Sequence, residues 1–136
     1  MSRSKTDLHP DLVFIYEQAE AEFKRLYPEL PQPFITCTHR SVQEQNDLYA
    51  IGRTLPGKRV TNAKGGQSPH NFMPSLAYDI AFIGLDKKTK WDGYLFDKFA
   101  ACYKSAKVMW GGNFQSLPDK PHTELKDWKT IAGLIK

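Results

Sequence analysis

The sequence predicts an α+β domain. Apolar residues recur at three- and four-residue steps over residues 10–27, an apolar and β-branched run fills residues 34–38, and side chains alternate in two sets over residues 76–83. With 136 residues, 40% of them hydrophobic, the chain can bury one core without disulfides or a partner subunit, so one domain over residues 1–136 and one site are expected.

In chain order, Leu12, Tyr16, Ala19, Phe23 and Leu26 form the stripe of an amphipathic helix, with Pro10 suited to its first turn and Pro28 stopping it. A Pro-rich connector leads to Phe34-Ile35-Thr36-Cys37-Thr38, which reads as a strand. Ser41 followed by Glu44 is a capping-box signature, and Val42, Gln45, Leu48 and Tyr49 continue it as a second helix that Gly52 can stop. Residues 53–75 hold Gly and Pro punctuation and no period, a loop of a length that usually serves function.

In residues 76–83, Tyr78, Ile80 and Phe82 are bulky on one face, while Ala77, Asp79 and Ala81 are small or acidic on the other, which leaves room around Asp79. After a Lys-rich turn, Tyr94, Phe99, Cys102, Tyr103 and Ala106 predict a third helix. Residues 108–110 and 122–125 read as short strands, and residues 128–134 as a last helix.

Nineteen Lys and Arg against fifteen Asp and Glu give a net charge of +4 and a pI near 9.0, a bias toward polyanionic partners that does not choose among them. Arg53, Lys58, Arg59 and Lys64 crowd the long loop, where a solvated loop and substrate attraction fit equally well. Neither a helix-turn-helix signature nor zinc-finger spacing accompanies the charge, so no nucleic-acid partner is expected. Cys37 and Cys102 lie in apolar segments outside any C-x-x-C pair and read as buried free thiols. The N-terminus has no apolar signal region and no segment is long enough to cross a bilayer, so synthesis in the cytoplasm without stable membrane insertion is expected.

Of the four histidines, two stand in unusual contexts. Ser68-Pro69-His70 ends the Gly-rich loop nine positions before Asp79, and Asp119-Lys120-Pro121-His122 opens a strand. Two imidazoles and one carboxylate are a ligand set for a catalytic zinc ion, which keeps three protein ligands and leaves the fourth position to water. Asp119, three residues before a ligand, is placed to take that water's proton. The residues alone leave another account standing: each His could be a hydrogen-bonded structural residue and Asp79 could pair with an Arg, because scattered ligands have no diagnostic spacing. The helix motif H-E-x-x-H is absent.

The stretch from Thr38-His39-Arg40-Ser41-Val42-Gln43-Glu44-Gln45 to Ser68-Pro69-His70-Asn71, together with Ala77-Tyr78-Asp79, Trp110-Gly111-Gly112-Asn113-Phe114 and Asp119-Lys120-Pro121-His122, resembles the phage L-alanyl-D-glutamate peptidases. These endolysins belong to the VanY-like D-Ala-D-Ala carboxypeptidase group of zinc peptidases. The resemblance covers residues 36–125 in several separated motifs in the right order. It implies the lysostaphin, D-Ala-D-Ala carboxypeptidase and hedgehog fold class: a small, mainly antiparallel sheet flanked by helices.

It also implies zinc bound by His70, Asp79 and His122, with Asp119 as the catalytic carboxylate. Arg40 and Gln45 would lie beside the site and help to hold the substrate or its developing oxyanion. The implied activity is cleavage between L-Ala and D-Glu in peptidoglycan stems, by a monomer without a separate wall-binding domain. It would accumulate in the host cytoplasm and reach the wall through a holin-type partner. A D-Ala-D-Ala carboxypeptidase or dipeptidase, or a zinc-stabilised wall-binding module without catalysis, are the alternatives.

Two departures stand out. Met73-Pro74-Ser75 replaces the group's glycine turn and lengthens the interval between His70 and Asp79 by two residues, and His39 stands where an aromatic residue is usual. Glu124 shares a strand face with His122 and reads equally as a hydrogen-bond acceptor for it or as a solvated carboxylate.

Overall fold

The computed structural model describes residues 1–135. Helix α1 (Pro10–Leu26) begins where expected, with His9 Nδ1 accepting from the Asp11 N–H at 3.1 Å as its cap. Strand β1 (Gln32–Cys37) starts two residues before the β-branched run, and its Pro33 is tolerated because β1 is an edge strand. Helix α2 (Val42–Ala50) opens on the capping box: Ser41 Oγ accepts from Glu44 N–H at 3.0 Å, and Glu44 Oε1 accepts from Ser41 N–H at 2.9 Å. Gly52 then turns the chain at φ +79°, where a Cβ would meet Arg59 N at 2.7 Å.

Strand β2 (Ala77–Ile83) is the central element. The sheet order is β1, β2, β5 (His122–Leu125), β4 (Val108–Trp110), all antiparallel, and β3 (Thr89–Lys90) pairs with the end of β2 beyond β5. Helices α3 (Gly93–Ala100) and α4 (Trp128–Ile131) complete the α+β architecture. Leu12, Tyr16 and Phe23 of α1, Leu95, Phe96 and Phe99 of α3, and Tyr78, Ile80 and Phe82 of β2 bury one face of the sheet as a single core. Phe23 and Phe82 meet with ring centroids 5.6 Å apart.

Several expectations change in detail. Helix α3 stops at Ala100 rather than continuing to residue 106, although Cys102 is buried and Tyr103 packs on the core. The apolar pattern there reports burial by a tight turn, not continued helix. Helix α4 is one turn, shorter than residues 128–134. Strand β3 lay hidden in the Lys-rich turn because two residues are too few to carry a periodicity. Cys37 and Cys102 are buried free thiols as expected. No helix of the described residues is long and apolar enough to cross a membrane.

The face of β2 opposite the core carries the site. The register places His122 directly across from Asp79, with side chains on the same face, and Glu124 across from Ala77. A register shift between Ile35 and Cys37 takes Cys37 off the core face that strict alternation would give it and sets it opposite Asp79.

Candidate metal centre

His70 sits in a short 3-10 turn (Pro69–Asn71) that ends the long loop. Ser68 Oγ accepts from the His70 N–H at 3.2 Å, and Asn71 Oδ1 accepts from the Ser68 N–H, also at 3.2 Å. The Asn71 amide donates to the Arg40 carbonyl at 3.0 Å while Arg40 N–H donates to the His70 carbonyl at 2.9 Å, so the turn is locked to the start of α2. Between His70 and Asp79 the chain passes through a connecting loop, where Ser75 N–H bonds the Asp7 carbonyl and Ser75 Oγ bonds the carbonyls of Thr38 and Ala77. His122 opens β5 behind a loop that folds back on Gly111. A Cβ at residue 111 would lie 2.2 Å from the Asp119 carbonyl oxygen, so only glycine permits this approach.

These elements bring His70, Asp79 and His122 together. His70 Nε2 is 3.2 Å from His122 Nδ1 and 3.3 Å from Asp79 Oδ1, and His122 Nδ1 is 3.1 Å from the same oxygen. The other nitrogen of each ring is already spent. His70 Nδ1–H donates to the Thr38 carbonyl at 2.7 Å, and His122 Nε2–H donates to Glu124 Oε1 at 2.7 Å. In their neutral forms both imidazoles therefore present lone pairs to a carboxylate oxygen, and three acceptors at this separation require a cation or protons among them.

Charge behaviour agrees. Burial lowers the His70 pKa, but the adjacent Asp79 carboxylate outweighs it and raises it to about 10. His122 is also raised: burial opposes the charge, and hydrogen bonds to Asp79 and Glu124 override it. Burial pushes Asp79 up, yet His70 and His122 hold it well below the usual carboxylate range. Tetrahedral zinc with bonds of about 2.0–2.1 Å spaces its donors about 3.3 Å apart, which the triangle of His70 Nε2, Asp79 Oδ1 and His122 Nδ1 matches. The donor set fits a divalent ion of the zinc type.

Two donor groups with metal-ligating spacing overlap at Asp79: Cys37 with His70, and Asp119 with His122. Cys37 Sγ lies 3.8 Å from His70 Nδ1, the nitrogen bonded to Thr38, so it flanks the triangle rather than closing it. Asp119 lines the cleft; burial and the Asp79 charge raise its pKa. A carboxylate so tuned is a stronger base than an exposed one.

Arg40 reaches the second oxygen of Asp79, Oδ2, at 3.4 Å and donates to Gln45 Oε1 at 2.9 Å. Asp79 thus both faces the histidines and pairs with an Arg. Gln45 is 0% exposed and lines no part of the cleft itself; its amide donates to the Ala63 carbonyl at 2.8 Å and to Thr61 Oγ1 at 3.3 Å, both in the cleft wall, and it reaches Asp79 through Arg40. His39 contributes its carbonyl, which accepts from Ser2 N–H at 2.8 Å. Arg53 is fixed to its own loop, stacked 3.7 Å from the Tyr49 ring and bonded to the carbonyls of Tyr49 and Thr61.

The centre lies in a cleft of about 730 Å³ between the long loop at Val60, Thr61 and Asn62 and the segment of Phe114 and Leu117. Thr38, Asn71 and Cys37 were not singled out as site residues from the sequence. For Asn71 the Ser68-to-Asn71 spacing was a usable capping signal. A main-chain acceptor such as Thr38 leaves none.

Comparison with known proteins follows the same residues. A model of the D-alanyl-D-alanine carboxypeptidase family matches residues 61–125. The peptidoglycan L-alanyl-D-glutamate endopeptidase CwlK of Bacillus subtilis (strain 168) is 34% identical over 129 residues, covering 88% of this chain and 74% of that protein. The chain belongs to the D-alanyl-D-alanine carboxypeptidase family of metallopeptidases. The crystal structure of the Serratia marcescens L-Ala D-Glu endopeptidase ChiX shares the fold, with a TM-score of 0.66 at 22% identity over 95% of this chain and 90% of that one. The matched segment of the family model runs from the cleft wall at Thr61 through His70, Asp79 and Asp119 to Leu125, so it spans every cleft side chain described above except Arg40 and Val60.

Proposed function

We propose that this protein is a zinc-dependent endopeptidase that hydrolyses the L-Ala–D-Glu bond of peptidoglycan stem peptides. The observation that carries the metal assignment is the three-donor triangle, whose outward N–H groups are already bound to Thr38 and Glu124. CwlK, the 34% identical relative, bears the name of that bond specificity.

His70, Asp79 and His122 hold the ion in this reading, and zinc bound there supplies Lewis acidity to the scissile carbonyl and to the attacking water. Asp119, unpaired by any side chain among the described residues and raised in pKa by burial, takes the water's proton and returns it to the leaving amine. Arg40 keeps Asp79 Oδ2 occupied, which aims Oδ1 at the histidines, and its guanidinium at the cleft wall favours negative charge developing on the substrate. Gln45 acts through Arg40, holding the guanidinium in place.

Digestion of purified sacculi with and without a chelator tests the proposal, with released fragments and new amino termini identified by mass spectrometry. A new D-Glu amino terminus that disappears on chelation is expected. The family model's description favours one second reading, terminal D-Ala removal; loss of D-Ala alone in this digest would establish it instead. In its biological setting we place the protein as a monomeric phage endolysin that a holin-type partner releases to the wall. The net charge of +4 attracts it to an anionic wall, so lysis should slow as salt rises.

A further inference from the structure

We propose that Glu124 is a positioning residue for the metal, fixing His122 in the tautomer whose Nδ1 lone pair faces Asp79 and His70. This rests on the metal assignment above and adds a residue to it.

His122 and Glu124 stand two apart on β5, so both project from the face that carries the centre. The 2.7 Å contact from His122 Nε2–H to Glu124 Oε1 is shorter than either contact of His122 Nδ1, and it joins a ring N–H to a carboxylate. Across the ladder on β2 stands Ala77, fully buried and small, which leaves Glu124 the space to lie against the imidazole. Among the described residues Glu124 has no other cationic partner.

The two histidines are oriented by different means. His70 is held by the Thr38 main-chain carbonyl, which no side-chain substitution removes, whereas His122 depends on a side-chain carboxylate. Without that acceptor the ring gains access to the tautomer with its proton on Nδ1, where a lone pair is required, and to ring flips that turn Nδ1 away.

The test is the zinc dissociation constant, measured by competition with a chromophoric chelator, for wild type, Glu124→Ala and Glu124→Gln. Substitutions of such supporting groups weaken metal binding about 10–100-fold, and Glu124→Ala should fall in that range. Glu124→Gln keeps the shape and a neutral acceptor and should lie between Glu124→Ala and wild type. Val108→Ala, a core change away from the centre, controls for general destabilisation and should leave zinc affinity unchanged. Wild-type affinity in both Glu124 variants overturns the assignment while leaving the metallopeptidase reading intact. Absence of zinc binding by the wild-type protein would remove both.

Discussion

On the core face of β2, Tyr78, Ile80 and Phe82 meet α1 and α3 through many interchangeable apolar contacts, whereas on the opposite face Asp79 meets His70, His122 and Arg40 through single polar contacts of 3.1–3.4 Å. Dispersion and burial are non-directional, so the first face loses stability in proportion to the atoms removed. Each contact on the second face satisfies a particular lone pair or charge. Removing one partner there strands the others in a buried setting. One strand therefore carries a tolerant face and an intolerant one, and the two should separate under mutation.

The largest effects are expected on the polar face. His122→Ala should lose stoichiometric zinc, by metal analysis, and sacculus cleavage with it. Asp119→Ala should keep zinc and lower kcat by about 10²–10⁴-fold. Cleavage retained in zinc-free His122→Ala protein would break the comparison at its centre. On the core face, Phe23→Ala should cost about 3–5 kcal/mol in denaturant unfolding, yet leave the zinc affinity of the folded protein unchanged. A shift in affinity would show that the two faces are coupled.

The same contrast has a pH signature. In protein stripped of metal, the His70 pKa stands raised from 6.5 to about 10, because the Asp79 carboxylate overcomes the opposing effect of burial. A raised pKa stabilises the fold fully below the unfolded value of 6.5, and that stability is lost as pH rises through about 10. Zinc competes with those protons and binds more strongly as pH rises. The Tm difference between zinc-loaded and chelated protein should therefore widen across this window; a constant difference would place the proton-binding groups elsewhere. The smallest effect is expected away from both faces: Ser41→Ala removes a helix cap and should cost about 1 kcal/mol without changing zinc affinity.

How much of this was legible beforehand depends on the range of the signal. The stripe of α1 and the Ser41–Glu44 box of α2 are local patterns, and both appear where they were read. The alternation over β2 separated Tyr78, Ile80 and Phe82 from Asp79 before any partner strand was known. Residues 102–106 misled because apolar spacing marks burial, and Cys102 is buried in a turn instead of a helix. The resemblance named His70, Asp79, His122 and Asp119, and it placed Gln45 beside the site. It could not indicate that Gln45 is wholly enclosed behind Arg40, since enclosure depends on the loop at Thr61 and Ala63 folding over it.

By itself, then, the sequence determined α1, β1, α2 and β2 and which of their faces are apolar, because helical and strand periods are written in spacings of two to four residues, while β3 and the end of α3 escaped it. Tertiary structure decided the rest: that β5 lies against β2 in the register that pairs His122 with Asp79, that a shift at Thr36 turns Cys37 toward the centre, and that Thr38 and Glu124 take the outward N–H groups of the two histidines. Those relations join residues as far apart as Asp79 and His122, 43 positions in numbering, and they depend on ladder register, on a main-chain acceptor and on which way the Glu124 side chain turns, none of which residue spacing encodes.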